Sequence, residues 1–229
     1  MSTPAVTSQP VTSQPGTSQP VTSQDGRHLR RDRNREAVVD ALLELYREGS
    51  LDPSSAEIAE RAGLSPRSLF RYFDDVDDLC QAAIAEQQRR VLPVTVIDAR
   101  PDQPLDLRIE VLVAQRIAVF EAMGPAGTVS RLRAPFQPLV ATELAQARAL
   151  FRAQIKRLFA PELASMGDAI AATAMACADV LCSFEAYQLL CFDQGLTRAE
   201  AGDVLVDSLG LLFADRPNPS RTNDKDPAR

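Results

Sequence analysis

The residues best suited to chemistry in this chain lie close together in one short segment, residues 66–72, which holds two arginines and two aromatic residues. An arginine can donate two hydrogen bonds to the edge of a guanine, and a phenylalanine can pack against the methyl group of a thymine. Serine and tyrosine hydroxyls suit phosphate oxygens. The segment therefore predicts DNA contacts from five side chains: Arg67, Ser68, Phe70, Arg71 and Tyr72.

Two short helices with a glycine between them are predicted to position these side chains. Ser54 has capping-box spacing with the glutamate three residues later, which starts the first helix, and Gly63 ends it after barely two turns. A Ser-Pro pair at residues 65–66 starts the second helix. This arrangement is typical of a helix-turn-helix. The N–H groups at Ser54 and Ser55 are expected to face a further phosphate.

The local charge favours the same surface, although the chain as a whole is acidic. The net charge of −6 argues against a generally basic nucleic-acid coat. Residues 27–35 nevertheless hold five arginines against one aspartate, and the second helix adds two arginines without an acid. We expect Arg31 and Arg33 of this basic arm to contact the phosphate backbone.

The remaining sequence predicts an all-α protein. Alanine and leucine dominate the apolar residues, and no segment alternates apolar and polar residues with the period of a strand. A first helix is expected from about Arg30 to Glu48, and a fourth begins at Asp74 or Asp75 with Val76 on its apolar face. Later helices are expected over residues 105–123, 138–159, 167–194 and 197–213.

Four regions follow from these patterns. A pentapeptide repeat, rich in Thr, Ser, Gln and Pro and with almost nothing to bury, predicts a disordered tail over residues 1–26. A three-helix DNA-binding domain is expected over 27–91, with its helix-turn-helix at about 54–73. A C-terminal helical domain for effector binding and dimerisation is expected over 92–215, and a second disordered tail over 216–229.

The pattern Ser-x-x-Glu-Ile-Ala-Glu-Arg-Ala-Gly-Leu-Ser-x-x-Ser-Leu-Phe-Arg-Tyr-Phe at Ser54–Phe73 resembles the DNA-binding domain of the TetR (tetracycline-repressor) family. The likeness is strong over about residues 31–91 and weaker beyond them. It implies a homodimer formed by the last two helices, a palindromic operator and a small-molecule effector. Val76 departs from the family, which commonly has a phosphate-binding lysine there, and the four surrounding aspartates should repel DNA.

The resemblance also implies an effector pocket beside the helix at residues 105–123. Glu185, Tyr187 and Gln188 could give polar contacts to a ligand, or could lie at an interface or in solvent. The alternative for any one of the residues expected to line the pocket is a place in the core; these residues are Arg116, Phe120, Met123, Phe136, Phe151, Met175 and Phe184.

The function expected from the sequence is that of a DNA-binding transcriptional regulator, most simply a ligand-responsive repressor, with activation left open. The alternative is a helical enzyme or small-molecule carrier, but the chain has no glycine-rich phosphate loop and no nucleophile–base motif, so no enzyme is expected. The four cysteines form no CxxC pair and His28 is the only histidine, so no metal or cofactor is expected. Without a signal peptide or an uninterrupted apolar span, we expect a cytoplasmic protein with no membrane contact.

Overall fold

A computed structural model describes residues 23–214 of the protein, with side chains from residue 28. Most of the predicted N-terminal tail and the whole predicted C-terminal tail lie outside these residues. The described residues form helices and no strand, which confirms the all-α fold class. The helices are α1 (Ser23–Arg47), α2 (Ser55–Arg61), α3 (Pro66–Leu69), α4 (Val76–Val91), α5 (Leu105–Arg133), α6 (Pro138–Leu158), α7 (Ala160–Ser165), α8 (Asp168–Leu181), α9 (Phe184–Gln188) and α10 (Arg198–Phe213).

Helices α1 to α4 enclose a first cluster of buried apolar side chains, which includes Val38, Leu42, Ile58, Leu69 and Phe73. The predicted caps hold these short helices in place. At the start of α2 the Glu57 carboxylate accepts from the Ser54 backbone N–H at 2.7 Å, and the Glu57 N–H donates to the Ser54 hydroxyl at 3.2 Å. Gly63 has a φ of +68°, which a side chain would strain, so it allows the turn into α3.

A second cluster of buried apolar side chains lies among α5 to α10, with α5 running through its middle. Phe159 and Phe213 stack with their ring centroids 4.2 Å apart and tie the end of α6 to the end of the chain described. Because the two clusters share no buried residue, the structure has two apolar cores joined mainly by α1, α4, α5 and α6.

Helix α5 is longer than predicted, since the chain bends at Gly124 and then continues as a helix to Arg133. Gly124 has a φ of +50°, and Pro125 after it has no N–H to donate to the preceding turn. The Gly-Pro pair was expected to end the helix at residue 123. It bends the helix instead, because the last turns of α5 bury Ala126 and Val129.

The single helix predicted over residues 167–194 is wrong, because the chain breaks into α8, α9 and a short π-helical turn, Leu189–Asp193. Ser183 is extended at the break, and its hydroxyl accepts from the Ala186 N–H at 3.1 Å as the N-cap of α9. Within residues 23–214 no single helix is long and apolar enough to cross a membrane. The pair Asp168–Leu181 and Phe184–Asp193, bent by 51°, passes that test by length and composition only.

The Arg108–Glu162 ion pair joins α5 to α7 within the second core. Arg108 is buried, donates to the Leu158 carbonyl at 2.7 Å and reaches both carboxylate oxygens of Glu162. Burial alone would raise the pKa of Glu162, but the hydrogen bonds and the charge of Arg108, together with a backbone hydrogen bond, hold the pKa below its ordinary value of 4.5. Removing the carboxylate would leave a buried guanidinium without its counterion.

We therefore predict that Glu162→Gln lowers the free energy of unfolding at neutral pH by about 3 kcal/mol. The pair stabilises the fold above the unfolded-state pKa of 4.5 and loses that contribution as the pH falls through the lower folded-state value. Urea unfolding measured from pH 7 downward should thus show a shallower acid dependence in the variant. Glu110→Gln, at an exposed position on α5, is the matched control. Equal stability of Glu162→Gln and the unaltered protein would contradict the assignment.

Candidate DNA-binding surface and apolar cavity

Three of the predicted DNA-contacting side chains are exposed together, one in α3 and two in the turn that follows it, because α3 ends at Leu69. Arg67, Phe70 and Arg71 are exposed, and neither arginine pairs with a carboxylate among residues 28–214. Leu69 and Phe73, on the opposite side, are buried in the first core. An exposed phenylalanine between two unpaired arginines offers the contacts that base edges and phosphates accept. Ser68 is half-buried, and its hydroxyl lies 2.9 Å from that of Ser65.

Tyr72 is held against α1 by both its ends. Its hydroxyl accepts from the Asn34 amide at 2.6 Å, and its carbonyl accepts from the Arg35 guanidinium at 2.6 Å. Because the amide occupies an acceptor position of the hydroxyl, the phenolic hydrogen can be donated outward. The geometry suits donation to a phosphate oxygen at the edge of α3.

The basic arm divides into exposed arginines and one structural arginine. Arg31 and Arg33 are exposed and take part in no ion pair with another described residue. Arg35 instead pairs with Asp78 at 2.9 Å and lies over the ring of Phe73, 4.3 Å from its centroid. The hydrogen bonds from Arg35 hold the pKa of Asp78 below its ordinary range.

The acidic start of α4 is less repulsive than the sequence implied. Asp75 is the N-cap of the helix and accepts from the Asp78 N–H at 2.8 Å, while the charge of Asp78 is balanced by Arg35. Asp74 and Asp77 remain exposed. Val76 is 53% exposed, so its predicted place on the apolar face of α4 is wrong: it lies in the first turn, beyond the edge of the core.

The start of α2 offers fewer unpaired N–H groups than its sequence indicated. The Ser54 N–H donates to the Glu57 side chain, so the capping box consumes a donor that was expected to face a phosphate. Ser54 itself is exposed and Ser55 is half-buried at the first position of α2. The Ser54 hydroxyl is also bonded to the Glu57 side chain, at 2.7 Å, so Ser54 is engaged within the capping box through both its N–H and its side chain.

An apolar cavity of about 430 Å³ lies where the two cores approach each other. Its wall is built from α1, α4, α5, α6 and the segment around α9. Three of the residues expected in an effector pocket are part of this wall: Met123, Phe151 and Phe184. Most of the remaining surface comes from aliphatic side chains, including Leu43, Ala83, Val91, Val129 and Val140.

The other expected pocket residues lie elsewhere. Phe120 is buried in the second core and packs edge-on against Phe184, with ring centroids 5.7 Å apart. Arg116 is also buried, behind the ring of Phe151, and Met175 is half-buried against the same core. Phe136 is 85% exposed and lies just after α5. Part of the predicted set of pocket residues therefore lines the cavity, whereas Phe136 is exposed to solvent.

A polar cluster on the cavity wall contains one residue that the sequence indicated, Glu185, and two that it did not. Glu185 accepts from Arg131 at 2.9 Å and from Arg148, while Arg131 lies over the Phe184 ring, 4.0 Å from its centroid. Burial alone would raise the pKa of Glu185, but the backbone hydrogen bond and the two arginines together lower it. The sequence singled out Glu185 but contained no signal for its partners, which are 54 and 37 residues away. Tyr187 is buried and Gln188 half-buried.

The cysteines do not form a redox or metal site in the part of the chain that the structure describes. All four are free thiols; Cys80 and Cys182 are buried, Cys191 is half-buried, and Cys177 is exposed on α8. Among the described residues no group of three or more potential ligands could hold a metal ion.

Comparison with known proteins identifies the N-terminal part of the chain. Residues 38–83 match the family model described as bacterial regulatory proteins, tetR family. These residues contain the helix-turn-helix of α2 and α3 with its supporting core.

The N-terminal domain is that of a TetR-family regulatory protein. The match over residues 38–83 supports DNA binding and transcription regulation as the function of this part of the chain.

Solved structures extend the likeness in fold to most of the chain. A TetR-family transcriptional regulator from Rhodococcus sp. is 19% identical, with a TM-score of 0.57, over 79% of this chain and 99% of that one. A tetR-family transcriptional regulator from Streptomyces coelicolor is 21% identical, with a TM-score of 0.60, over 79% of this chain and 80% of that one. A search of curated proteins found no match.

The division of the basic arm can be tested by stability alone. Arg35→Ala removes a partly exposed ion pair and a carbonyl contact, so it should lower the free energy of unfolding by about 1–2 kcal/mol. Arg31→Ala and Arg33→Ala remove exposed side chains and should change it by less than about 0.5 kcal/mol. Urea unfolding of the three variants at neutral pH gives the comparison. An equal loss in Arg31→Ala and Arg35→Ala would show that the structural role is not confined to Arg35.

Proposed function

We propose that this protein is an effector-responsive transcriptional repressor that binds a palindromic operator as a homodimer. The single observation that carries the DNA-reading role is the exposed group Arg67, Phe70 and Arg71 in α3 and the turn after it. The buried Leu69 and Phe73 support this group from behind.

The two proposed functions, DNA binding and effector binding with dimerisation, correspond to the two apolar cores. Residues 27–91 form the DNA-binding domain. In it, the exposed Arg31 and Arg33 and the Tyr72 hydroxyl contact phosphates. Ser68 lies beside the base-reading residues, and Ser54 and Ser55 contact the DNA backbone. Residues 92–215 form the effector-binding and dimerisation domain. The separation of the buried apolar residues into two clusters supports this boundary.

An exposed apolar surface on α8 and α10 supports the proposed dimer. On α8, Ile170, Cys177 and Val180 are spaced along one exposed stripe, and on the adjoining α10 Val204 and Leu211 are exposed as well. Val180 is 66% exposed and Leu211 73% exposed, which is unusual for contiguous large aliphatic residues on a monomer. A second copy is the proposed occupant, because a helix-turn-helix reads two half-sites about 34–36 Å apart through a two-fold pair.

The position of the cavity supports control by a small molecule. Leu43 and Tyr46 of α1 and Cys80 of α4 form one side of its wall, and α5 and α6 form the other. Arg133 at the end of α5 donates to the Tyr46 hydroxyl at 3.1 Å and to the Leu51 carbonyl at 3.1 Å. A ligand that fits one arrangement of these elements better than another shifts the population of the two, and release of DNA is the proposed consequence.

The proposed DNA contacts predict two distinct effects on binding. Arg67→Ala should lose about 1–3 kcal/mol on the operator and relax the base preference, because a guanine contact carries sequence information. Tyr72→Phe should weaken binding to operator and random DNA alike, because a phosphate contact carries none. Gel-shift titration with fragments of the gene's own upstream region measures both, with Arg157→Ala on α6 as a charge-matched control. Equal loss on operator and random DNA in Arg67→Ala would remove this residue from base reading.

The proposed dimer predicts that a charge on the α8–α10 surface separates the subunits. Val180→Glu should yield a monomer at micromolar concentration, because a buried carboxylate without a partner is strongly unfavourable. Phe136→Glu, at the most exposed aromatic position outside that surface, should leave the dimer intact. Analytical ultracentrifugation distinguishes the states. An unaltered protein that sediments as a monomer would contradict both the dimer and the palindromic operator.

A further inference from the structure

A buried cation without a carboxylate partner lies behind the cavity wall. The Arg116 side chain is 1% exposed, and its guanidinium donates only to neutral acceptors: the Gln115 side chain, the Gln154 side chain at 2.9 Å and the Phe151 carbonyl at 3.1 Å. Its Nε atom is buried and has no hydrogen-bond partner among the described residues. Burial lowers the pKa of Arg116 to about 10, which leaves the side chain protonated at neutral pH.

Among the described residues no acid on the cavity wall pairs with Arg116, because Asp179 and Glu185 are held by other arginines and Glu143 accepts from the Gln88 amide at 2.6 Å. Asp179 is paired with Arg152 at 2.7 Å, and Glu185 is shared by two arginines. The charged residues on the wall, taken with their ion-pair partners, are matched in number: arginines 131, 133, 148 and 152 against Asp52, Glu143, Asp179 and Glu185. Burial raises the pKa of Cys182 to about 12, so that neighbouring thiol is neutral too. Arg116 is therefore one positive charge in excess.

The excess charge is adjacent to one end of the cavity. The guanidinium lies over the Phe151 ring, 4.5 Å from its centroid, and Cys182 is close enough to interact with it electrostatically. Gln154, which accepts from Arg116, donates in turn to the Thr95 carbonyl at 2.9 Å. Phe151, Cys182 and Thr95 all belong to the cavity wall. The charge of Arg116 therefore lies directly behind this part of the wall, where it acts electrostatically on an anion in the cavity.

We propose that the cavity binds an apolar molecule carrying a single carboxylate, with the anionic group at the end bounded by Thr95, Phe151 and Cys182. This inference rests on the proposed role of the cavity as the effector site, and it names the chemical class of the effector. The single unbalanced positive charge attracts one negative charge on the ligand, and the aliphatic side chains of the rest of the wall pack against the apolar part of the ligand. A buried charge is unfavourable until it is compensated, so the ligand's anion completes an arrangement that the protein leaves open.

The test compares three ten-carbon probes that differ only in the head group: decanoate, 1-decanol and decylammonium. Binding to the full-length protein is measured by isothermal titration calorimetry at neutral pH and below the concentration at which the probes aggregate. Decanoate should bind between about tenfold and a hundredfold more tightly than decanol, as expected for one charge pair at an effective dielectric constant near 20. Decylammonium should bind more weakly than either. Decanol binding as tightly as decanoate in the unaltered protein would overturn the proposal, and this comparison requires no variant.

Variants then assign the preference to Arg116. In Arg116→Gln the ratio of decanoate to decanol affinity should fall to near one, while decanol affinity stays unchanged; Arg116→Lys should keep most of the ratio. Arg157→Gln, which removes an exposed charge on the same helix as Phe151, should keep all of it. Circular dichroism establishes which variants are folded. An unchanged ratio in folded Arg116→Gln would overturn the proposal.

Failure of this inference is distinguishable from failure of the proposed function. Equal binding of decanoate and decanol leaves the cavity as an effector site and removes only the anion. Binding of no probe, together with an operator gel shift that remains intact, overturns the ligand class without affecting the DNA-binding role. Loss of the gel shift in the unaltered protein contradicts the proposed function itself, whatever the probes do.

Discussion

The attachment of α1 to the start of α4 is the constraint on which the DNA-binding surface depends. Helix α3 is too short to hold its own orientation, since an isolated helix of one turn is unstable in water. Arg35 supplies the missing support by contacting the Tyr72 carbonyl, the Phe73 ring and the Asp78 carboxylate at once. One side chain therefore fixes the turn that follows α3 and the first turn of α4. The exposed Arg67 and Arg71 are positioned by these contacts rather than by α3 alone.

The same two helices that hold α3 also form one side of the cavity, which links the two parts of the structure physically. Helix α1 contributes Tyr46 to the wall and bonds through it to Arg133 of α5. Helix α4 is tied back to α1 by Arg90, which pairs with Asp40. A change in the width of the cavity must therefore move α1 and α4 together or break one of these contacts. Because packed helices respond as units, such a change reaches α3 through Arg35.

How much could be predicted from the sequence depends on whether the determining interaction was local. The capping box at Ser54 could be predicted because its two partners are three residues apart, and the structure contains it, together with a second box of the same spacing at Thr197. The break at Ser183 was missed because a serine inside a long apolar pattern carries the same composition whether it caps or continues a helix. The start of α1 at Ser23 was missed because its polar residues have no apolar period. The partners of Glu185 and the lack of a carboxylate beside Arg116 depend on tertiary contacts, which leave no local pattern in the sequence.

The proposed coupling between the cavity and the DNA-binding surface favours a charged ligand over a purely apolar one. A ligand shifts a conformational equilibrium only by the difference between its affinities for the two states. A purely apolar molecule binds many shapes of an aliphatic cavity with nearly equal affinity. The hydrogen-bond network around Arg116 depends more strictly on geometry than apolar packing does. In it, Gln115 donates to the Val94 carbonyl at 3.0 Å and Gln154 donates to the Thr95 carbonyl at 2.9 Å. Both carbonyls lie in the segment that leads out of α4. An anion that draws on Arg116 therefore acts on the hydrogen bonds that fix the end of α4, and so distinguishes between positions of that helix in a way that apolar contact alone does not.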